Sequence, residues 1–270
     1  MSELMPKHIM KLTNLDAYSN ASAFYEKAME DISRGIQEGT LTPEEDSFMQ
    51  SLILTDKMSV GDMVAICMDL FIGGTDSTAR NLQMILYNLA LNQDKQQKLY
   101  EQILSVLGPS GPLTGDAISK MPYMAACLKE SFRLTFPIAS GTQRYMPEDI
   151  ILQGHRIPRG TSLIMMNQKT AKDIKYFPDP ESYLPERWVR DSEGKRANPI
   201  PPSALLPFGF GPRQCLGKRF AEQEIYLAIT KIIQKFDVSL EPGQNEIEIH
   251  YRPFVGTKEP IRFKFKQRKS

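Results

Sequence analysis

A mainly α-helical fold with a small β region is what this sequence predicts. Three observations point there. Apolar residues recur at helical spacing through the first half of the chain, short extended pieces bounded by turn residues appear only after Pro137, and helical spacing returns between Gly217 and Phe236. With 270 residues, 41% hydrophobic and 24% charged, the chain can bury a sizeable core as one or two domains.

In residues 18–36, Phe24, Tyr25, Met29, Ile32 and Ile36 form an apolar stripe with charges between them, the pattern of an amphipathic helix. Thr42-Pro43-Glu44-Glu45 reads as an N-cap with proline at the first helical position, so a second helix is expected to end near Leu54. Ser59 opens a third, extending through Asn92 with Gly73-Gly74 as its weak point. A fourth covers residues 93–107, residues 108–115 form a Pro/Gly loop, and residues 121–135 are helical until Phe136-Pro137 stops them. Extended pieces follow at 143–146, 150–152 and 162–166, with a turn at Pro158-Arg159-Gly160. Residues 178–212 are rich in proline and aperiodic, an ordered irregular segment packed on the rest. A helix at 217–236 and alternating strands at 238–240, 246–250 and 261–265 close the chain.

Composition excludes several function classes. A formal net charge of +1 gives no global electrostatic case for nucleic acid, and the basic stretch at 262–269 reads as a solvated tail. Three cysteines, Cys67, Cys127 and Cys215, are too few and odd for a disulfide framework. No apolar run approaches the ~18 residues of a membrane span, and residues 1–7 resemble neither a secretory signal nor a mitochondrial presequence.

The sharpest local feature is Phe208-Gly209-Phe210-Gly211-Pro212-Arg213-Gln214-Cys215-Leu216-Gly217, set immediately before a helix. Its glycines allow a tight loop, Arg213 offers a fixed fork for a carboxylate, and Cys215 sits at a helix N-terminus, where backbone N–H groups and the helix dipole favour a negative sulfur. For a lone cysteine the alternative is a buried structural residue. Glu130-Ser131-Phe132-Arg133 places an acid and a base on one helix face, in isolation a common surface pair, and Pro185-Glu186-Arg187-Trp188 lies between it and the cysteine loop. Gly73-Gly74-Thr75-Asp76-Ser77-Thr78 reads either as a helix kink with a capped acid or as a site where an acid and an adjacent hydroxyl relay protons.

The cysteine loop resembles the haem-binding loop of the cytochrome P-450 family, and the order of oxygen-activating helix, ExxR helix, small β region, PER and cysteine loop matches that family. The resemblance implies haem b with Cys215 as its axial thiolate and metal ligand, with Phe208, Gly209 and Gly217 shaping the loop and Arg213 and Arg144 on the propionates. It implies a buried structural triad of Glu130, Arg133 and Arg187. Asp76 and Ser77 match the family's acid and alcohol, although that alcohol is usually threonine and here Thr78 follows the serine. Phe71, Ile72, Ile138, Ala139, Ser140 and Val255 fall where substrate-facing residues lie. The runs around Lys129, Gln143-Arg144-Tyr145 and residues 213–222 are most similar to the mitochondrial class, which takes electrons from an acidic ferredoxin. Lys129, Lys218 and Arg219 would be the docking charges, though a further lysine expected one turn before Lys129 is Ala125.

The resemblance spans nearly the whole chain but corresponds to the C-terminal half of a family member, so residues 1–270 are expected to be a partial domain. Three functions follow. The first is a haem-thiolate monooxygenase inserting one oxygen atom from O2 into a lipophilic substrate, sterol or steroid-like or xenobiotic. The others are a truncated, inactive haem- or partner-binding form and a haem-thiolate isomerase or dehydratase. Asp76-Ser77 and the basic docking residues argue against the last, which needs neither proton relay nor redox partner. The expected location is peripheral on the mitochondrial inner membrane, or alternatively the endoplasmic reticulum, membrane-associated in the full-length protein without a transmembrane span here.

Overall fold

The computed structural model describes residues 15–40, 48–54, 57–138, 141–190, 194–195, 199–244, 247–252 and 254–268, with side chains from residue 22 onward. Helix α1 spans Leu15–Gln37, α2 Phe48–Leu54 and α3 Val60–Leu91. The predicted start of α2 at Thr42-Pro43 lies outside the described residues. Ser59 caps α3: its hydroxyl accepts from the Asp62 N–H at 3.2 Å while the Asp62 carboxylate accepts from the Ser59 N–H at 3.3 Å. Helix α3 runs without interruption through Gly73-Gly74, because its flanking residues supply enough helical propensity to carry two glycines.

The chain divides into two compact units, residues 1–75 and 76–270. In the first, Met29 of α1 and Met63, Val64, Cys67 and Met68 of α3 form a small core, with Phe48, Leu52 and Ile53 of α2 packed on it.

The second unit is built on the C-terminal part of α3, α4 (Gln93–Leu107), α6 (Pro122–Leu134) and α8 (Lys218–Lys235), with α5 (Gly115–Ser119) and α7 (Asn167–Ala171) as short connecting turns. Its core joins Ile85 and Leu89 of α3, Leu99 and Ile103 of α4, Cys127 and Phe132 of α6, and Ile225, Ile229 and Ile233 of α8. Burial of such side chains stabilises each by about 1.5–3 kcal/mol. The fully buried Gln96 ties α4 to the strand after α8: its Nε2 donates to the carbonyls of Leu89 and Val238, and its Oε1 accepts from the Val238 N–H at 2.9 Å. Gln234 and Lys231 of α8 donate to the carbonyls of Gly108 and Gly111. The C-terminal part of α8 is thereby fixed to α4 and to the loop that follows α4.

Among the described residues the strands form four antiparallel pairs: β1 (Thr142–Tyr145) with β4 (Ser162–Met165), β2 (Ile150–Leu152) with β3 (His155–Ile157), β5 (Phe236–Leu240) with β8 (Phe263–Gln267), and β6 (Ile249–Tyr251) with β7 (Val255–Thr257). The fold is mainly helical with small sheets, as the periodicity implies. Four short elements differ from the sequence reading. Helix α5 occupies the end of the expected Pro/Gly loop, where Thr114 accepts from the Ala117 N–H at 3.2 Å; α7, β3 and β7 are three to five residues long and owe their form to their partners. The expected strand at 246–250 is shifted to Ile249–Tyr251 because pairing with β7 sets its register, and residue 246 lies outside the described residues. Among the described residues no helix is long and apolar enough to cross a membrane.

Candidate functional site

Residues 205–217 form a loop braced from both ends. The Gly209 N–H donates to the Leu206 carbonyl at 3.1 Å, the Gln214 N–H to Gly211 at 2.9 Å, and the Cys215 N–H to Phe208 at 2.9 Å. Gly209 and Gly211 both sit at φ +71°, a conformation that side chains with a Cβ adopt only with strain, which is why the motif carries glycine at these two positions. Gly217 is the N-cap of α8, and its carbonyl accepts from the Ala221 N–H at 2.9 Å. Cys215 therefore stands two residues before the N-cap of an 18-residue helix, at the end where the helix dipole favours negative charge.

The three cysteines differ in access. Cys67 and Cys127 are buried, and burial raises both thiols, Cys127 to about 12. Cys215 is exposed. Around it Leu216 and Phe210 are 66% and 54% exposed, an apolar face beside a thiol. Arg213 is exposed, with no carboxylate partner among the described residues. Thr142 of β1 lies against the loop, 3.5 Å from the position of a Cβ on Gly209. Arg144 is two residues on, on the same half-buried face of β1, and its Nη1 donates to the Gln143 carbonyl at 2.8 Å.

Linked to the loop is a buried, densely hydrogen-bonded polar cluster. Glu130 and Arg133 of α6 are fully buried. The Glu130 carboxylate accepts five hydrogen bonds: from Arg133 Nε and Nη2 at 3.0 and 2.9 Å, Arg187 Nε at 3.2 Å, the Leu184 N–H at 2.9 Å and Trp188 Nε1 at 2.8 Å. Arg133 uses all five of its donors, adding the carbonyls of Ala171, Pro180 and Ser182 to the two carboxylate oxygens. Arg187 also donates to the Asp179 carbonyl at 2.7 Å, holding a non-glycine residue at φ +50°. Phe177 lies 5.3 Å from the Arg133 guanidinium. These hydrogen bonds and the Arg187–Glu130 ion pair hold the irregular stretch from 171 to 188 on α6. Phe132 of the same helix meets Phe208 edge to face at 5.4 Å, which links this cluster to the cysteine loop. Sequence reasoning missed Trp188 and Leu184, and the carbonyls that complete Arg133.

On α3, Asp76 is exposed, Ser77 is half-buried and hydrogen-bonded, and Asn81 Nδ2 donates to the Ser77 carbonyl at 2.7 Å. Thr78 Oγ1 is buried without a hydrogen-bond partner. The side chains of Asp76 and Thr78 make no hydrogen bond to the cysteine loop. Of the residues expected to face substrate, Phe71 and Ile72 in the first unit are each 53% exposed. Ile138 pairs with Phe254 in an isolated bridge. Val255 is fully buried among Met84, Tyr87 and Ile261, which places it in a core cluster. Ala139 and Ser140 lie outside the described residues. Lys129 and Arg219 are exposed, and the Lys218 ammonium sits 5.9 Å from the Phe208 ring centroid.

Comparison with known proteins agrees with these features. The family model described as cytochrome P-450 matches residues 2–265. Curated relatives from Drosophila melanogaster include probable mitochondrial cytochrome P-450 12c1, 32% identical over 93% of this chain and 48% of that protein. Others are 12a5, 36% identical over 84% of the chain and 44% of that protein, and 12e1, 34% identical over 98% and 51%. The chain spans about half the length of the curated relatives it matches. A family match across almost all its residues, with a glycine-braced cysteine before a helix and a buried ExxR-PER cluster, shows that this chain belongs to the cytochrome P-450 family.

Proposed function

We propose that residues 1–270 are a partial domain of a haem-thiolate monooxygenase that inserts one oxygen atom from O2 into a lipophilic substrate, sterol or steroid-like or xenobiotic, using electrons from a ferredoxin. The observation that carries this reading is the exposure of Cys215 at the entrance to α8 while Cys67 and Cys127 are buried.

Haem b fits the residues present. It needs a thiolate donor, an apolar surface and cations for its carboxylates, and Cys215, the exposed Phe210 and Leu216, and Arg144 and Arg213 are of those kinds. When bound, the haem supplies the activation of dioxygen. The chain's own residues do the rest. Cys215 would hold the haem iron through Sγ at the entrance to α8. Arg144 and Arg213 orient the cofactor's carboxylates. Asp76, exposed, takes protons from solvent at its carboxylate and passes them to the half-buried Ser77 hydroxyl, with the Thr78 hydroxyl as an additional donor. Exposed Phe71 and Ile72 offer apolar surface to a lipophilic substrate. Lys129, Lys218 and Arg219 steer the acidic electron donor toward the cysteine loop. The relatives are named as mitochondrial proteins, which supports a mitochondrial location; the further placement, peripheral on the inner membrane, belongs to the proposal alone.

The test is turnover by the haem-loaded chain with a ferredoxin, its reductase and NADPH, using a panel of sterols and apolar xenobiotics. One oxygenated product formed by the wild type, lost in Cys215→Ser and reduced about 10- to 100-fold in Asp76→Asn, is the expected result. Equal product from Cys215→Ser, or product formed only from added hydroperoxides without electrons, overturns it.

A further inference from the structure

A cavity of about 350 Å³ opens on the face that carries the proposed docking charges. Its walls come from α6, from Trp188, Arg190 and residues 200–209, and from α8, and its apolar part includes Leu128, Phe132, Leu205, Pro207, Phe208 and Tyr226. Among the described residues its polar lining is Lys129, Arg190, Gln214, Lys218 and Glu222, three cations and one carboxylate. That carboxylate is half-buried; burial raises the Glu222 carboxyl, while Lys218 and Lys129 pull it the other way. Glu222 thus lies within the electrostatic reach of both lysines and partly neutralises them. Arg190 donates to the Gly194 carbonyl at 2.8 Å. The cavity volume lies in the range that accepts a side-chain-sized or small ligand group.

We propose that this cavity is the anchoring slot for the ferredoxin-type partner: an apolar side chain of the partner enters between Leu205 and Tyr226, and an adjacent partner carboxylate replaces Glu222 at Lys129 and Lys218. This rests on the ferredoxin reading above and deepens it. Charge complementarity selects the occupant, since an apolar group alone would leave the lysines with Glu222, and an anion alone would leave the slot's apolar walls wet. Docking then has two separable parts. The lysines set the association rate and its salt dependence, and the slot sets the lifetime of the complex. Because Leu205, Phe208 and Gln214 line the slot, the anchored partner would sit directly on the cysteine loop, whose Phe208 carbonyl accepts from the Cys215 N–H.

The experiment is binding of a purified acidic [2Fe–2S] ferredoxin to the haem-loaded chain, with rates measured at several salt concentrations. Pro201→Trp, on an exposed wall, and Leu205→Trp fill the slot; both should weaken binding about tenfold through faster dissociation with an unchanged salt slope. Glu222→Gln should tighten binding several-fold, and Lys218→Glu should slow association and flatten the salt slope. If Lys218→Glu acts as stated while both tryptophan variants, folded by their circular dichroism, bind like wild type, the slot inference is wrong and the docking reading stands. If no variant changes binding, the docking reading itself is wrong.

Discussion

The ExxR cluster and the cysteine loop lie on adjacent elements, joined by the Phe132–Phe208 contact, yet they are built in opposite ways. At the centre of the cluster both groups are saturated: five hydrogen bonds reach the Glu130 carboxylate and five leave the Arg133 guanidinium. Around Cys215 the backbone is braced while the side chains Phe210, Arg213, Cys215 and Leu216 face outward. The first arrangement is complete within the chain; the second offers its side chains to something else. Saturation marks structural residues and exposure of costly groups marks binding residues, even when both were singled out by motif alone.

Arg133→Met would break this contrast most severely. It leaves a buried carboxylate and three backbone carbonyls short of donors, so unfolding in urea should show a loss of about 3–5 kcal/mol, or no soluble protein. The paired change Glu130→Leu with Arg133→Leu sharpens the point. Many buried ion pairs can be replaced by apolar residues at little cost, but here Leu184 N–H, Trp188 Nε1 and the three carbonyls would stay unpaired, so the double variant should remain unstable. Trp188→Phe removes one donor to the charged acceptor and should cost about 1.5–3 kcal/mol by the same measurement.

Trp188 also shows where the sequence was legible and where it was not. The long helices were readable because apolar spacing is a local signal, and so were the pattern positions Glu130, Arg133, Arg187 and Cys215. Trp188, Leu184 and the carbonyls of Ala171, Pro180 and Ser182 were not, because a backbone acceptor has no residue-type signature and the indole's direction depends on how the 3-10 turn Pro185–Trp188 packs. Helix α5 did carry a signal, the Thr114 cap, hidden by the surrounding glycine and proline. Three-residue β3 and β7 exist only through β2 and β6.

Glu186, at the edge of the cluster, gives a smaller effect. Burial alone would raise its carboxyl, but hydrogen bonds from Lys98 and Tyr123 outweigh that and hold it below its ordinary 4.5. A lowered folded value means the native state binds fewer protons than the unfolded chain, so this contribution is present above pH 4.5 and is lost as pH falls through the folded value. Lys98→Met should therefore flatten the acid-side decline of the melting temperature, by under about 1 kcal/mol because the pair is partly exposed. Smallest of all is Cys215→Ser in the haem-free chain. An exposed thiol supports nothing, so stability should stay within about 0.5 kcal/mol of wild type; a large loss would mean Cys215 belongs with the saturated region.

The most direct measurement is the absorption spectrum of the haem-loaded chain, reduced under carbon monoxide, for wild type, Cys67→Ser and Cys215→Ser. Ligation by Cys215 predicts a strongly red-shifted Soret band in wild type and Cys67→Ser and its loss in Cys215→Ser. Persistence of that band in Cys215→Ser, or a folded chain that takes up no haem, would contradict it.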